Sequence, residues 1–197
     1  MLIFSGTYWT YDQIFKDLPS PYDLTKKEQS VSTKILDRNG EILYRIYEDE
    51  NRTIIPLSEI PKNLINATIA IEDKDFYNHH GFSIRGISRA IISNIKGEDL
   101  QGGSTLTQQL VKNRLLSSKR TFSRKFKELL LAILVEGVYT KDEIIEMYLN
   151  QVAYGGSTYG IEEAAQKYFD KSANKLSLAE SAMLAGLPAA PSVYTPF

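Results

Sequence analysis

The sequence predicts a mainly α fold with one short β-hairpin near its start. Three observations carry this expectation. Apolar residues recur every three or four positions through most of the chain beyond Pro61, Thr140/Glu143 and Ser177/Glu180 form capping boxes, and Asn39-Gly40 stands between two short apolar runs. With 197 residues, 43% of them hydrophobic, the chain can bury one substantial core with room for a small second lobe. That content excludes disorder, and the lack of a short repeat excludes collagen and coiled coil. Cysteine is absent, which rules out disulfides, thiolate metal sites and a Cys nucleophile.

Taken in order, residues 1–11 are apolar but stop at Asp12, well short of the roughly 18–20 residues a membrane span needs. They also lack the basic start of a signal peptide. Tyr8, Trp9 and Tyr11 cluster there as aromatics do at a membrane–water interface. Residues 1–30 are therefore read as a membrane-proximal segment ending in a Pro19/Pro21 linker, and residues 31–197 as the functional domain. Ile35 and Leu36 precede the Asn39-Gly40 turn, and Ile42, Leu43, Tyr44 and Ile46 follow it. Pro61 opens a helix with Leu64, Ile65, Ile69 and Ile71, and Ser83 caps a second with Ile84, Ile87, Ile91 and Ile95. After a loop over residues 97–103, Ser104 or Thr105 caps a helix to about Leu116. A polar break over 117–123 precedes an apolar helix from Phe126 to Val138. Thr140 opens the next helix, to Asn150, a Gly- and Tyr-rich loop covers 152–160, and Ser177 opens the last helix.

The net charge of −1 conceals an asymmetry: residues 1–100 carry −3, residues 101–127 carry +7 and residues 128–197 carry −5. Lys112, Arg114, Lys119, Arg120, Arg124, Lys125 and Lys127 lie in the middle stretch without a single acid. Solvated faces usually mix signs, so this stretch points to a local anion site. A pI of about 6.2 and the lack of a binding motif argue against nucleic acid.

Three constellations carry chemistry. Glu72 stands at helical spacing from Ile65, Ile69 and Phe76, where desolvation of a carboxylate raises its proton affinity and suits it to proton transfer; the bland alternative is a surface Glu at a fraying end beside Asp73 and Asp75. Arg124, Lys125 and Glu128 share a helix face next to Lys127, which reads either as an intrahelical salt bridge or as an acid kept ionised to hold a metal or steer cations. Two carboxylates in contrasting environments are how enzymes perform glycosyl chemistry. Third, Gly102-Gly103-Ser104-Thr105 leads into Gln108, Gln109, Lys112 and Asn113, a glycine turn before a helix N-terminus that offers amides to an anion without the spacing of a nucleotide P-loop. His79 and His80 lack a third ligand and read as a turn before Gly81. Ser172 and Lys175 have Ser-x-x-Lys spacing, but no Lys-Thr-Gly companion exists.

These segments together resemble the peptidoglycan glycosyltransferase family, the domain of class A penicillin-binding proteins and of monofunctional transglycosylases. Glu72 to Gly81 looks like the family's first motif, Gly102 to Asn113 its second, and Arg124 to Glu128 its third. Glu146-Met147-Tyr148-Leu149-Asn150 with Gly155 looks like the fourth, and Ala179-Glu180 through Pro188, with Pro191-Ser192, the last. The resemblance implies a lysozyme-like helical head, a small apolar jaw lobe facing the membrane, and an inverting transfer that polymerises lipid II into β-1,4-linked glycan with release of undecaprenyl pyrophosphate. It makes Glu72 the general base and Glu128 the second catalytic carboxylate, acting at the pyrophosphate directly or through Mg²⁺ or Mn²⁺, with no organic cofactor. Ser104, Thr105, Gln108, Gln109, Lys112, Asn113, Arg120, Arg124, Lys125 and Lys127 match positions near the phosphates and donor sugars; Asp73, Phe76 and His79 support the first motif. Implied partners are lipid II, the nascent glycan strand, the bacterial membrane and other cell-wall synthesis proteins. The implied location is the outer face of the cytoplasmic membrane, held by an N-terminal span preceding this chain. The Asp37-Arg38-Asn39-Gly40 opening looks more like the bifunctional class, so the chain is expected to be a fragment of such a protein. Ser83 departs from the Asp or Asn more usual after the first motif. A lysozyme-type hydrolase and a non-catalytic module for anionic membrane are the rival readings; the acid-free stretch argues against the first, which needs no pyrophosphate site.

Overall fold

The computed structural model describes residues 18–26, 32–40, 42–46, 50–86, 88, 103–117 and 121–189. Expectations for residues 1–17, for Ile87, Ile91 and Ile95, for most of the 97–103 loop, for Lys119 and Arg120, and for Pro191 and Ser192 lie outside them. The protein is mainly α. Its chain folds as two compact units, each assembled from segments distant in sequence: Met1–Lys27 with Asp75–Lys141, and Glu28–Lys74 with Asp142–Phe197.

In the first unit, α1 (Asp23–Lys26) follows a turn in which the Ser20 amide donates to Asp23 Oδ2 at 2.9 Å. The sequence reads this stretch as linker, yet Leu24 is 1% exposed. Arg114 Nη2 donates to the Leu24 carbonyl at 3.1 Å, and the Thr25 and Tyr139 hydroxyls meet at 3.1 Å. A single buried leucine thus docks a Pro-rich segment whose composition alone reads as open chain. Phe76–Asn78 form a 3₁₀ turn, and Ser83 Oγ accepts from the Gly86 amide at 3.0 Å, capping the helical turn that begins at residue 84.

Next comes α3 (Leu106–Leu115), numbered after α2 (Lys62–Glu72) of the second unit; Thr105 rather than Ser104 is its cap, in a capping box with Gln108. Helix α4 (Phe122–Glu136) begins four residues before the apolar pattern does. Thr121 Oγ1 accepts from the Arg124 amide at 3.1 Å, so a cap rather than periodicity sets the start. Its buried stripe is Glu128, Leu131, Ala132 and Val135, and the helix packs on α3, which buries Leu106, Leu110 and Val111.

The second unit holds an antiparallel pair, β1 (Thr33–Leu36) with β2 (Ile42–Ile46), around Asn39-Gly40, with Gly40 at φ +87°. Ile35, Leu36, Leu43, Tyr44 and Ile46 are exposed. Helix α2 buries Leu64 and Thr68 and packs on α7 (Leu178–Gly186), which opens with the Ser177/Glu180 capping box. Helix α5 (Lys141–Gln151) buries Ile144, Ile145, Tyr148 and Leu149. The expected loop over 152–160 is instead β4 (Ala153–Gly155) and β5 (Thr158–Tyr159), with β3 (Asn51–Arg52) parallel to β5. Residues of positive φ at Gly155, Gly156 and Gly160 let so short a turn close, and at Gly160 a Cβ would fall 2.8 Å from the Asn150 carbonyl oxygen. Beyond it, α6 (Ile161–Phe169) buries Ile161, Ala164 and Ala165.

Candidate active site

Glu72 is the last residue of α2. The helix closes with the Asp73 amide donating to the Ile69 carbonyl at 2.9 Å, and Asp73 turns away at φ −158°, so Phe76 is not on the same helix as Glu72. Thr68, one turn before Glu72, is fully buried; Glu72 itself is half-buried, with Oε1 shielded from solvent. Two buried phenols of the same unit feel its charge. Burial pushes the Tyr148 and Tyr154 hydroxyls well above their usual 10.0, and the Glu72 carboxylate adds to the rise in both. The sequence singles out neither tyrosine as a site residue, although Tyr148 falls inside the fourth motif.

That motif also frames the loop leading to α2. Asn150 Oδ1 accepts from the Ile55 amide at 3.0 Å, and Nδ2 donates to the Ile55 carbonyl at 2.8 Å. Glu146 Oε2 accepts from the Leu57 amide at 2.7 Å. Four residues apart on α5, Glu146 and Asn150 share a face, and together they satisfy three backbone groups of a segment some 90 residues earlier. The i, i+4 spacing was the available signal, but nothing local says what those side chains bind.

In the first unit the candidate residues gather along α4. Arg124, Lys125 and Lys127 occupy its first two turns, where no acid precedes them. Cations at the positive end of a helix dipole oppose the stabilising arrangement, so this end concentrates positive potential instead of cancelling it. Lys125 Nζ donates to Ser104 Oγ at 2.7 Å and to Glu128 Oε1 at 2.5 Å. Glu128 is 2% exposed, whereas Lys125 is 52% exposed. The buried carboxylate therefore keeps its cation at the surface, where it can also reach an incoming anion. Arg124 Nε is shielded and has no hydrogen-bond partner among the described residues.

Thr105 and Gln108 are buried, with their side chains engaged in the capping box and, for Thr105 Oγ1, in a 2.8 Å bond to the Gly81 carbonyl. Gln109 and Lys112 are half-buried and Asn113 is exposed. Phe76 is fully buried, and Gly81 sits at φ +88° with its missing Cβ 2.7 Å from the Ala132 backbone. Arg120 lies outside the described residues. Among the described residues no group of three or more His, Asp or Glu could hold a metal ion, and no helix is long and apolar enough to cross a membrane.

A family model described as transglycosylase matches residues 39–197, and the chain belongs to that family. It is 46% identical over 166 residues to penicillin-binding protein 1F of Bacillus subtilis, covering 84% of this chain and 23% of that one. It is 44% identical over 185 residues to penicillin-binding protein 1A of Rickettsia bellii, covering 92% and 23%. A crystal structure of penicillin-binding protein 1A from Haemophilus influenzae overlaps 84% of the chain and 15% of its own at 23% identity, with a TM-score of 0.38. The chain thus spans about a quarter of the length of the curated relatives it matches.

Proposed function

We propose that this chain is a peptidoglycan glycosyltransferase that polymerises lipid II during bacterial cell-wall synthesis. The observation that carries the reading is the transglycosylase match over residues 39–197, which spans all the motif residues named above. In the proposed step Glu72 takes the proton from the acceptor GlcNAc 4-hydroxyl, and that oxygen attacks the donor anomeric carbon. A new C–O bond forms as the bond to the pyrophosphate breaks, undecaprenyl pyrophosphate leaves with the electron pair, and the anomeric centre inverts to a β-1,4 link.

The half-buried position of Glu72 at the end of α2, with Oε1 shielded from solvent, supports the role of base, since a general base must be held in place within reach of the proton it takes. Lys125, Arg124 and Lys127 on the first turns of α4 support the role of pyrophosphate stabiliser, because preorganised cations act where charge develops in the transition state. Glu128 aims Lys125 through their 2.5 Å contact. Gln109 and Lys112 on α3 extend the same donor-binding set, as Arg120 does by its place in the sequence.

A divalent cation, Mg²⁺ or Mn²⁺, enters this proposal only as a companion of the pyrophosphate. Glu128 is a single buried carboxylate with one oxygen already held by Lys125, which does not fit a resident ion; Mg²⁺ in particular favours substrate phosphates over all-protein cages. Exposed Phe122, Phe126, Ile133 and Leu134 on α4 support contact with the outer leaflet of the cytoplasmic membrane.

The test is polymerisation of purified lipid II, with and without EDTA. Glu72→Gln, nearly isosteric, is expected to lower product formation by at least a hundredfold without changing the melting temperature. Undiminished polymer growth by that variant would remove the base and the mechanism with it. Loss of pre-formed glycan instead of polymer growth would favour the hydrolase.

A further inference from the structure

Glu136 closes α4 with its side chain only 3% exposed. A carboxylate there meets the negative end of the helix dipole and is deprived of water, two costs that an unconstrained surface Glu avoids. Donors from two other segments, Thr107 and Lys141, offset them. Thr107 Oγ1 donates to Oε1 at 2.5 Å, Lys141 Nζ donates to Oε2 at 2.7 Å, and His79 Nδ1 stands 3.8 Å from Oε1. Lys141 Nζ also lies 4.5 Å from the centroid of the Phe76 ring.

The stretch before and into α3 is consequently tied to α4 at successive levels. Ser104 is bonded to Lys125 near the start of α4. Thr105 is bonded to Gly81, whose backbone lies against Ala132 midway along it. Thr107 is bonded to Glu136 at its end. The first tie holds a residue of the proposed reaction; the last lies eleven residues away from Lys125 and touches no reacting group.

We propose that Glu136 is a positioning residue for the transfer reaction. By holding Thr107 and Lys141 it fixes the register of α3 along α4, and so the aim of Gln109 and Lys112 relative to the Lys125–Glu128 pair. The consequence for catalysis rests on the transferase reading, whereas the setting of α3 by Glu136 does not. A buried charged cluster is poor evidence of a stabilising device, because well-packed apolar side chains of similar volume often serve stability as well or better. A cluster kept for geometry and a cluster kept for stability therefore respond differently to apolar replacement.

The experiment compares wild type, Glu136→Gln, Glu136→Asp and the triple replacement Thr107→Val, Glu136→Leu, Lys141→Met. Lipid II polymerisation, thermal melting and amide hydrogen exchange are measured on each. The expected result for the triple replacement is a melting temperature within a few degrees of wild type, kcat reduced at least tenfold and KM for lipid II within twofold. Glu136→Asp, which retains the charge, should recover part of kcat. In Glu136→Gln, amides of residues 108–112 should exchange at least tenfold faster while those of 131–135 are unchanged. A folded triple replacement with kcat within twofold of wild type would overturn the proposal. So would unchanged exchange in α3 of Glu136→Gln, a readout that stands even where the triple replacement does not fold. Failure of the wild-type chain to polymerise lipid II counts against the transferase reading and the catalytic half of this proposal; the exchange data then decide whether Glu136 sets α3.

Discussion

Gly81 shows how tightly single positions are specified. Its φ of +88° lies in the left-handed region, and a Cβ would stand 2.7 Å from the carbonyl carbon and oxygen of Ala132, which are backbone atoms of a helix and cannot swing aside. The carbonyl of the same residue accepts the Thr105 hydroxyl, so a shift here moves the cap of α3 as well. Gly81→Ala is expected to cost about 3 kcal/mol, the left-handed penalty plus overpacking. Denaturant melts that place its midpoint within error of wild type would show that the approach is relieved cheaply. The Lys125–Glu128 pair makes the complementary point. Its basic and acidic halves could be read from sequence as an ordinary i, i+3 surface bridge, and what sets it apart is that the carboxylate is 2% exposed while the ammonium stays half in solvent.

At the scale of elements, two helices lend themselves to measurement. The α7 capping box holds Glu180 through Lys171 Nζ at 2.8 Å and through the Ser177 amide at 2.8 Å. These bonds, Lys171's first, bring its carboxyl from 4.5 down to about 2. A depressed acid contributes stability above 4.5 that is lost as pH falls toward its folded value. Wild type and Lys171→Ala should thus differ most in melting temperature near pH 6 and approach one another toward pH 2; a constant offset across that range would contradict the assignment. On α4, Phe122 is 97% exposed and Phe126 is 48% exposed beside three cations. The double change Phe122→Ser and Phe126→Ser should leave melting unchanged and reduce co-sedimentation with phosphatidylglycerol vesicles at least fivefold. Equal binding by the variant would overturn the proposed membrane contact of α4.

Across the whole molecule, the buried phenols give a pH signature at the alkaline end. Tyr148 and Tyr154 are held neutral by burial, then by the Glu72 charge, so their folded values lie above the usual 10.0. The stability they contribute is fully present below 10 and declines as pH rises above it, because only the unfolded chain can ionise there. Melting temperatures between pH 9 and 11.5 should fall for wild type and fall less steeply for Tyr154→Phe. Identical slopes would mean that Tyr154 ionises without hindrance.

Much of the element inventory was legible in advance because its causes are local. A Thr or Ser with Glu or Gln three positions on, an Asn-Gly turn and a 3.6-residue apolar stripe each act within a few residues, and the ends of α3 and α7 follow from them. Local rules failed at α4, which begins at its cap before its apolar stripe, at 152–160, where positive-φ glycines make strands of an apparent loop, and at Leu24, whose docking partner is 90 residues away. The helical class, the hairpin turn, the cationic stretch and the family can all be read from the order of residues. It is the folded chain that buries Glu128 against Lys125, lets Glu146 and Asn150 clamp the loop before α2, and brings Thr107 and Lys141 to Glu136. Burial and long-range hydrogen bonding depend on which distant segments meet, and no spacing along the chain encodes that.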